Sequence, residues 1–416
     1  MEVILVRTNR GNRLHIGIFG KRNAGKSSLI NALTNQDIAL VSDVAGTTTD
    51  PVFKSMELLP VGPVVIIDTA GMDDEGELGE KRVEKSRRIL ARCDFVIIVI
   101  SAEKIDEELN YEKDLVKEIK LRNIPVIIAI NKTDLKAPKE EEKQRLSKFF
   151  DTLIFEVSSK NRVGIEELKK GITQNTTKDW IVPTIVGDLI RPGDVAVLVC
   201  PIDNAAPKGR LILPQVATIR DILDNDAQAL VVKERELAHS LRGLKNPPTI
   251  VITDSQEFQK VSADCPPHIP MTSFSILFAR YKGELETFIK GIKKIKKLED
   301  GDTILISEAC THHAQSDDIG RVKIPRWLRQ LTGKELKFEH SAGSSFPDDM
   351  TRYSLVVHCG ACMINRREML YRMNISMENN IPIVNYGMLI AYVHGILQRA
   401  LTPFPMALAV LNDDIY

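Results

Sequence analysis

No uninterrupted apolar run in this chain approaches the roughly 18 to 20 residues needed to cross a bilayer, so no membrane span is expected. Arg7, Arg10 and Arg13 interrupt any apolar core near the N-terminus, which argues against a secretory leader and for a cytoplasmic protein. An excess of either charge is missing too: 56 Lys and Arg face 56 Asp and Glu. Proteins that live on a phosphate backbone carry a basic surplus or stripe, so no nucleic-acid partner is expected. The basic run from Lys290 to Lys297 reads as the wet face of a helix. Six cysteines are too few for a disulfide scaffold, and a reducing compartment turns any close group of them toward metal or redox chemistry. What is present is a 416-residue chain, 43% hydrophobic and 27% charged, enough to bury two or three cores.

The expected fold class is α/β in three domains. His15–Phe19, Val64–Asp68, Phe95–Ile100, Val126–Asn131 and Ile154–Val157 are short apolar runs, each followed by a turn and a charged helical stretch. That rhythm predicts a doubly wound, mostly parallel sheet with helices on both faces over residues 1–175. Val195–Cys200, Ala229–Val232 and Thr249–Thr253 predict a small α/β middle domain over 176–270, bland enough to suit a scaffold or oligomerisation module. Thr303–Ser307, Leu355–His358 and Ile383–Asn385 predict a further α/β domain over 271–416.

Chemistry is concentrated in two places. The first begins with Gly20-Lys21-Arg22-Asn23-Ala24-Gly25-Lys26-Ser27, a G-x-x-x-x-G-K-S loop between a strand and the helix that Ser28 opens. Such a loop turns backbone N–H groups onto phosphates at a helix N-terminus. Lys26 is then placed to reach the β- and γ-phosphates and Ser27 to ligate Mg²⁺. Asp68-Thr69-Ala70-Gly71 ends another strand, offering Asp68 to a Mg²⁺-bound water and the Gly71 backbone to the γ-phosphate. Asn131-Lys132-Thr133-Asp134 supplies a carboxylate for the guanine N1–H and amine. Selection of that kind rejects the wrong base by roughly 10⁴. Asn131 and Lys132 brace the loop and cover the base, and Ser158-Ser159-Lys160 completes the pocket. In the switch loop Val44–Pro51, Thr48 is the candidate second Mg²⁺ ligand. GTP or GDP with Mg²⁺ is the expected cofactor, with Lys26, Thr48, Asp68 and Gly71 carrying the hydrolysis.

These motifs together resemble the Era and TrmE branch of GTPases, whose switch loop reads G-T-T-x-D. The resemblance implies activation by K⁺ through Asn23, which matches the coordinating Asn of potassium-dependent members. Met72 stands where Ras-like enzymes place a water-orienting Gln, so slow intrinsic hydrolysis is expected, with a carboxylate among Asp73–Glu80 positioning the water.

The second place is Cys310-Thr311-His312 with His358-Cys359-Gly360-Ala361-Cys362, each just beyond an expected strand. If those strands are parallel neighbours, both groups emerge at one carboxyl edge, the usual ligand crevice of an open sheet. Chemistry alone leaves a structural Cys₃His zinc and an iron–sulfur cluster both open, beside plain buried thiols. Cys93, Cys200 and Cys265 lie elsewhere and read as buried structural thiols.

A GTPase region, a middle α/β region and this cluster motif together resemble the HydF family of FeFe-hydrogenase maturation GTPases. The segment Ala206–Gln215 shares the likeness. The resemblance implies a 4Fe-4S cluster on Cys310, Cys359 and Cys362, with His312 and His358 as fourth ligand or supporting donors. It also implies a diiron precursor received from two radical-SAM maturases and delivered to apo-hydrogenase, in a homodimer whose partner binding GTP switches. The competing expectations are a ribosome- or RNA-associated Era-like GTPase with structural zinc, and an electron-transfer or redox-sensing protein.

Overall fold

The computed structural model describes residues 11, 13–34, 52–59, 61–69, 88–176, 184–202, 211–309, 318–343, 345–347 and 349–413. The chain forms two compact units, residues 1–181 and 182–416.

In the first unit, β1 (Leu14–Phe19), β2 (Val52–Leu58), β3 (Gly62–Asp68), β4 (Phe95–Ser101), β5 (Val126–Asn131) and β6 (Ile154–Glu156) form one sheet. Their order is β2-β3-β1-β4-β5-β6. Neighbours run parallel except β2, which is antiparallel to β3. The central strands are apolar at nearly every position because helices cover both faces. Along β4, Phe95, Ile97 and Val99 join the core on one face, while Val96, Ile98 and Ile100 join the core on the other. That alternation is the period of two that a strand imposes. Each such fully buried Ile or Val contributes about 1.5–3 kcal/mol. The helix Asn110–Leu121 buries Leu115, Val116 and Ile119 at helical spacing against one of these cores. The unexpected strand is β2: its Lys54, Ser55 and Glu57 break any apolar run, as an edge position permits.

The second unit holds two four-stranded sheets. β7 (Val195–Val199), β8 (Gln228–Val232), β9 (Ile250–Thr253) and β10 (Met271–Ser273) lie in the order β10-β9-β7-β8. β11 (Thr303–Glu308), β12 (Lys337–Ala342), β13 (Leu355–His358) and β14 (Ile383–Asn385) lie in the order β12-β11-β13-β14. Every pairing in both sheets is parallel. The first of these sheets runs on past residue 270 through β10, and one continuous apolar core from Ile185 to Ala407 serves both. Two strands escape the sequence reading here. β10 is three residues long, and β12 is a polar edge, Lys-Phe-Glu-His-Ser-Ala.

The last sheet sets up a crevice. From β11 the chain moves out to β12, then crosses back to β13 on the other side. Strand order reverses between β11 and β13, which is where open parallel sheets bind ligands beyond their carboxyl ends. Among the described residues, no helix is long and apolar enough to span a membrane.

Candidate functional site

At the first carboxyl edge, the turn after β1 feeds the helix Lys26–Thr34. Asn23 takes a left-handed conformation with φ 61°, which Asn tolerates better than most residues, and Gly25 has φ 90°. A Cβ on Gly25 would stand 2.3 Å from Asn131 Nδ2, so the loop closes only around a glycine. Lys26 is 6% exposed; its ammonium donates to the Gly20 carbonyl and, at 3.1 Å, to that of Lys21. These are loop carbonyls that a phosphate would replace as partners. The Ser27 hydroxyl donates to Asp68 Oδ2 at 3.5 Å, so the two expected Mg²⁺-handling groups meet. Thr69 fixes the end of β3 by donating to the Ile18 carbonyl at 2.6 Å. A contact that the sequence did not disclose ties Lys21 to the buried Glu112 at 3.5 Å.

The base-reading strings also converge. Asn131 is buried; its Nδ2 donates to the carbonyls of Ala24 at 3.1 Å and Gly25 at 3.3 Å. Its Oδ1 accepts from the Ser159 N–H at 3.1 Å and hydroxyl at 2.9 Å. One amide therefore staples the phosphate loop to the Ser158–Lys160 segment. The Ser158 hydroxyl donates to Asp134 Oδ1 at 2.6 Å and holds that carboxyl below its ordinary range, helped by Lys160 and Lys132. Asp134 is thus an anion oriented by the Ser158 hydroxyl. Lys132 has φ 64° and reaches Glu103 at 3.5 Å. Ser28 lies in the first helical turn. Thr48, Gly71 and the acidic stretch Asp73–Glu80 lie outside the described residues.

At the other edge, β11 and β13 are parallel neighbours with Ser307 opposite His358. Cys359 follows β13 directly and is pinned on several sides. Its N–H donates to the Ser307 carbonyl at 2.9 Å. Its carbonyl accepts from His358 Nδ1 at 2.8 Å and from Asn385 Nδ2 at 3.4 Å. Its Sγ accepts the Ala309 N–H at 3.1 Å. Burial pushes the Cys359 thiol up, while the Ala309 and Ala361 N–H groups and Arg372 pull it down. Ala361 adopts φ 55°, a strained conformation of the kind that collects at functional sites. Cys359 and Cys362 are both half-buried and in no disulfide. Cys310 and His312 lie outside the described residues, as does 206–210 of the segment ending at Gln215. Among the described residues, no three His, Cys, Asp or Glu side chains are already gathered around a metal position.

Behind Cys359 is a layer that sequence reasoning missed. Arg372, on the helix Arg366–Glu378, is 1% exposed. Its guanidinium donates to His358 Nε2 at 3.2 Å, Ser307 Oγ at 3.4 Å, the Gly343 carbonyl at 2.6 Å and Glu368 Oε1 at 2.7 Å. Arginine only donates, so His358 accepts at Nε2 and its Nδ1–H serves the Cys359 carbonyl. Both imidazole nitrogens are committed. Burial, with the Arg372 charge beside it, holds the imidazole at about 3 and therefore neutral. On the opposite side, the Tyr386 hydroxyl donates to Glu308 Oε1 at 3.2 Å, and burial keeps this phenol well above its usual range. Gly320 closes over that pair, where a Cβ would meet the Tyr386 oxygen at 2.4 Å. The only sequence signal was the Glu368–Arg372 spacing of four on a helix, which usually marks a solvated pair.

Comparison with known proteins places these edges in a family. Residues 15–132 match the family model of the 50S ribosome-binding GTPase. Residues 185–283 match the hydrogen maturase F dimerization domain, and residues 286–403 the hydrogen maturase F tetramerization domain. The tRNA modification GTPase MnmE of Thermoanaerobacter sp. (strain X514) is 40% identical over 161 residues, covering 38% of this chain and 34% of that protein. MnmE of Clostridioides difficile (strain 630) is 37% identical over 167 residues, covering 39% of this chain and 35% of that protein. The chain thus spans about a third of the length of these curated relatives. The crystal structure of Aquifex aeolicus Era bound to GDP.AlF4- is 21% identical, covering 55% of this chain and 97% of that one, with a TM-score of 0.36. Two maturase-specific models placed end to end behind a P-loop GTPase domain identify the chain as a member of the HydF family of hydrogenase-maturation GTPases.

Proposed function

We propose that this chain is a GTP-hydrolysing scaffold that carries a diiron precursor of the FeFe-hydrogenase active site and delivers it to the apo-enzyme. The observation that carries the reading is the Cys359–Cys362 loop at the reversal point of the last sheet, inside the region matched by the maturase models. The donor set fits a 4Fe-4S cluster. Two thiols sit on one loop, two backbone N–H groups converge on the Cys359 sulfur, and Cys310 is one residue beyond Ala309. Cys310, Cys359 and Cys362 would hold it, with His312 as a candidate fourth ligand. His358, with both nitrogens engaged, would support Cys359 instead. Held by three thiolates, such a cluster supplies one iron with an exchangeable position, where the diiron cargo from the two radical-SAM maturases can dock.

The GTPase unit provides the switch. Lys26 and the loop N–H groups bind the phosphates, Ser27 and Thr48 hold Mg²⁺, and Asp68 holds its water. Asp134 reads guanine, Gly71 senses the γ-phosphate, and Asn23 takes K⁺. Segments ordered by the γ-phosphate relax on hydrolysis and alter partner docking. The matched dimerization and tetramerization domains support a homo-oligomer.

Anaerobic reconstitution followed by transfer to apo-hydrogenase tests the reading. Hydrogenase should be activated by the wild-type chain and not by Cys310→Ala, Cys359→Ala or Cys362→Ala. Equal activation by all four would remove the cluster from the mechanism.

A further inference from the structure

The polar layer behind Cys359 has more charge than structural support alone requires. Ser341, Ser307, His358 and Asn385 occupy one register level across four parallel strands. All four are buried, and Ser341 Oγ donates to Ser307 Oγ at 3.0 Å. Neutral side chains and water-free packing would satisfy such a row. Instead the helix above it inserts a whole ion pair, Arg372 with Glu368, at 1% and 8% exposure. The Arg372 guanidinium also lies 5.3 Å from the centre of the Phe346 ring. Burying two charges incurs a desolvation cost that a well-packed apolar pair would avoid.

We infer that Arg372 and Glu368 form a charge-setting pair for an iron–sulfur cluster on Cys359, with Arg372 acting as a positioning residue through His358. This rests on the cluster reading above. The geometry gives the pair two routes to the sulfur. Arg372 fixes the His358 tautomer, so Nδ1–H holds the Cys359 carbonyl and with it the end of β13, where Sγ accepts the Ala309 N–H from just beyond the neighbouring β11. Hydrogen bonds to a ligating sulfur, together with the local net charge, set a cluster's reduction potential. Arg372 also has three anchors besides Glu368: Ser307, His358 and Gly343. Neutralising Glu368 therefore leaves the guanidinium in place and makes the surroundings of the cluster more positive. Neutralising Arg372 does the reverse.

The test compares wild type, Glu368→Gln and Arg372→Gln as full chains. Each is reconstituted anaerobically, assayed for iron and sulfide, and titrated potentiometrically with the reduced cluster read by electron paramagnetic resonance. Glu368→Gln should raise the midpoint and Arg372→Gln should lower it, each changing the reduced-to-oxidised ratio at fixed potential about tenfold, or about 59 mV for one electron. Loosened packing alone has no reason to give opposite signs. If Arg372→Gln fails to fold, Glu368→Gln decides by itself, since it keeps an acceptor for the guanidinium. A wild-type cluster whose midpoint is unmoved in Glu368→Gln, or moved downward, overturns the inference and leaves the scaffold reading standing. A wild-type chain that takes up no iron overturns both.

Discussion

The two carboxyl edges that carry chemistry in this protein are built on opposite plans. The nucleotide edge, around β1 and β5, uses short loops whose polar side chains satisfy the main chain directly. Asn131 bonds two loop carbonyls and a neighbouring N–H, and Ser158 orients Asp134 near solvent. The edge proposed for the cluster, around β11 and β13, depends on a second layer, with Cys359 held by His358 and His358 held by a buried ion pair. The physical reason lies in the ligand proposed for each. Phosphates and guanine bring charge and donors of their own, and main-chain N–H groups meet them well. A thiolate site brings negative charge into an apolar crevice and needs fixed donors before any metal arrives.

That contrast can be tested one edge at a time. The largest effect is expected at Lys26. Lys26→Ala should slow phosphate release from GTP by at least about 100-fold, as loss of one transition-state donor does. Iron uptake should be untouched, and a parallel loss of iron would break the separation of the edges. Asp134→Ala removes an oriented, charged acceptor for guanine. It should weaken GDP binding by roughly 10- to 150-fold in calorimetry, the worth of one or two such bonds. Binding within twofold of wild type would show that the base is read elsewhere. Cys359→Ala should lower iron after reconstitution from about four per chain to about one or fewer. GTP turnover should be unchanged, which phosphate release checks on the same sample. The smallest effect belongs to Gly25→Ala, with positive φ and a collision with Asn131. It should destabilise the first unit by about 1–3 kcal/mol in denaturant unfolding. A neutral result would mean that the loop is looser than its contacts imply.

Much of this was legible before any coordinates. The strings around Lys26, Asp68, Asn131 and Ser158 follow strand ends because those residues must reach one point. The buried strands announced themselves as apolar runs because both faces are covered. The strands that went unread, β2, β10 and β12, are edge strands. In β2 and β12, residues such as Lys54 and Glu339 face mixed surroundings and lose the apolar pattern, while β10 is buried but only three residues long. The Cys359–Cys362 spacing was equally plain, since two thiols on one turn are a local fact.

What only the tertiary structure decided is which distant groups meet. Glu368 and Arg372 look like an ordinary solvated pair along a helix, and packing that helix onto β11 and β13 alone puts them beneath His358. Likewise, the order β12-β11-β13-β14, which places Ala309 against the Cys359 sulfur, comes from crossover connections that no local spacing encodes. Sequence determined the chemistry available at each strand end, because that depends on neighbours in the chain. Burial and strand order determined what that chemistry is held by, because both depend on contacts between residues far apart in it.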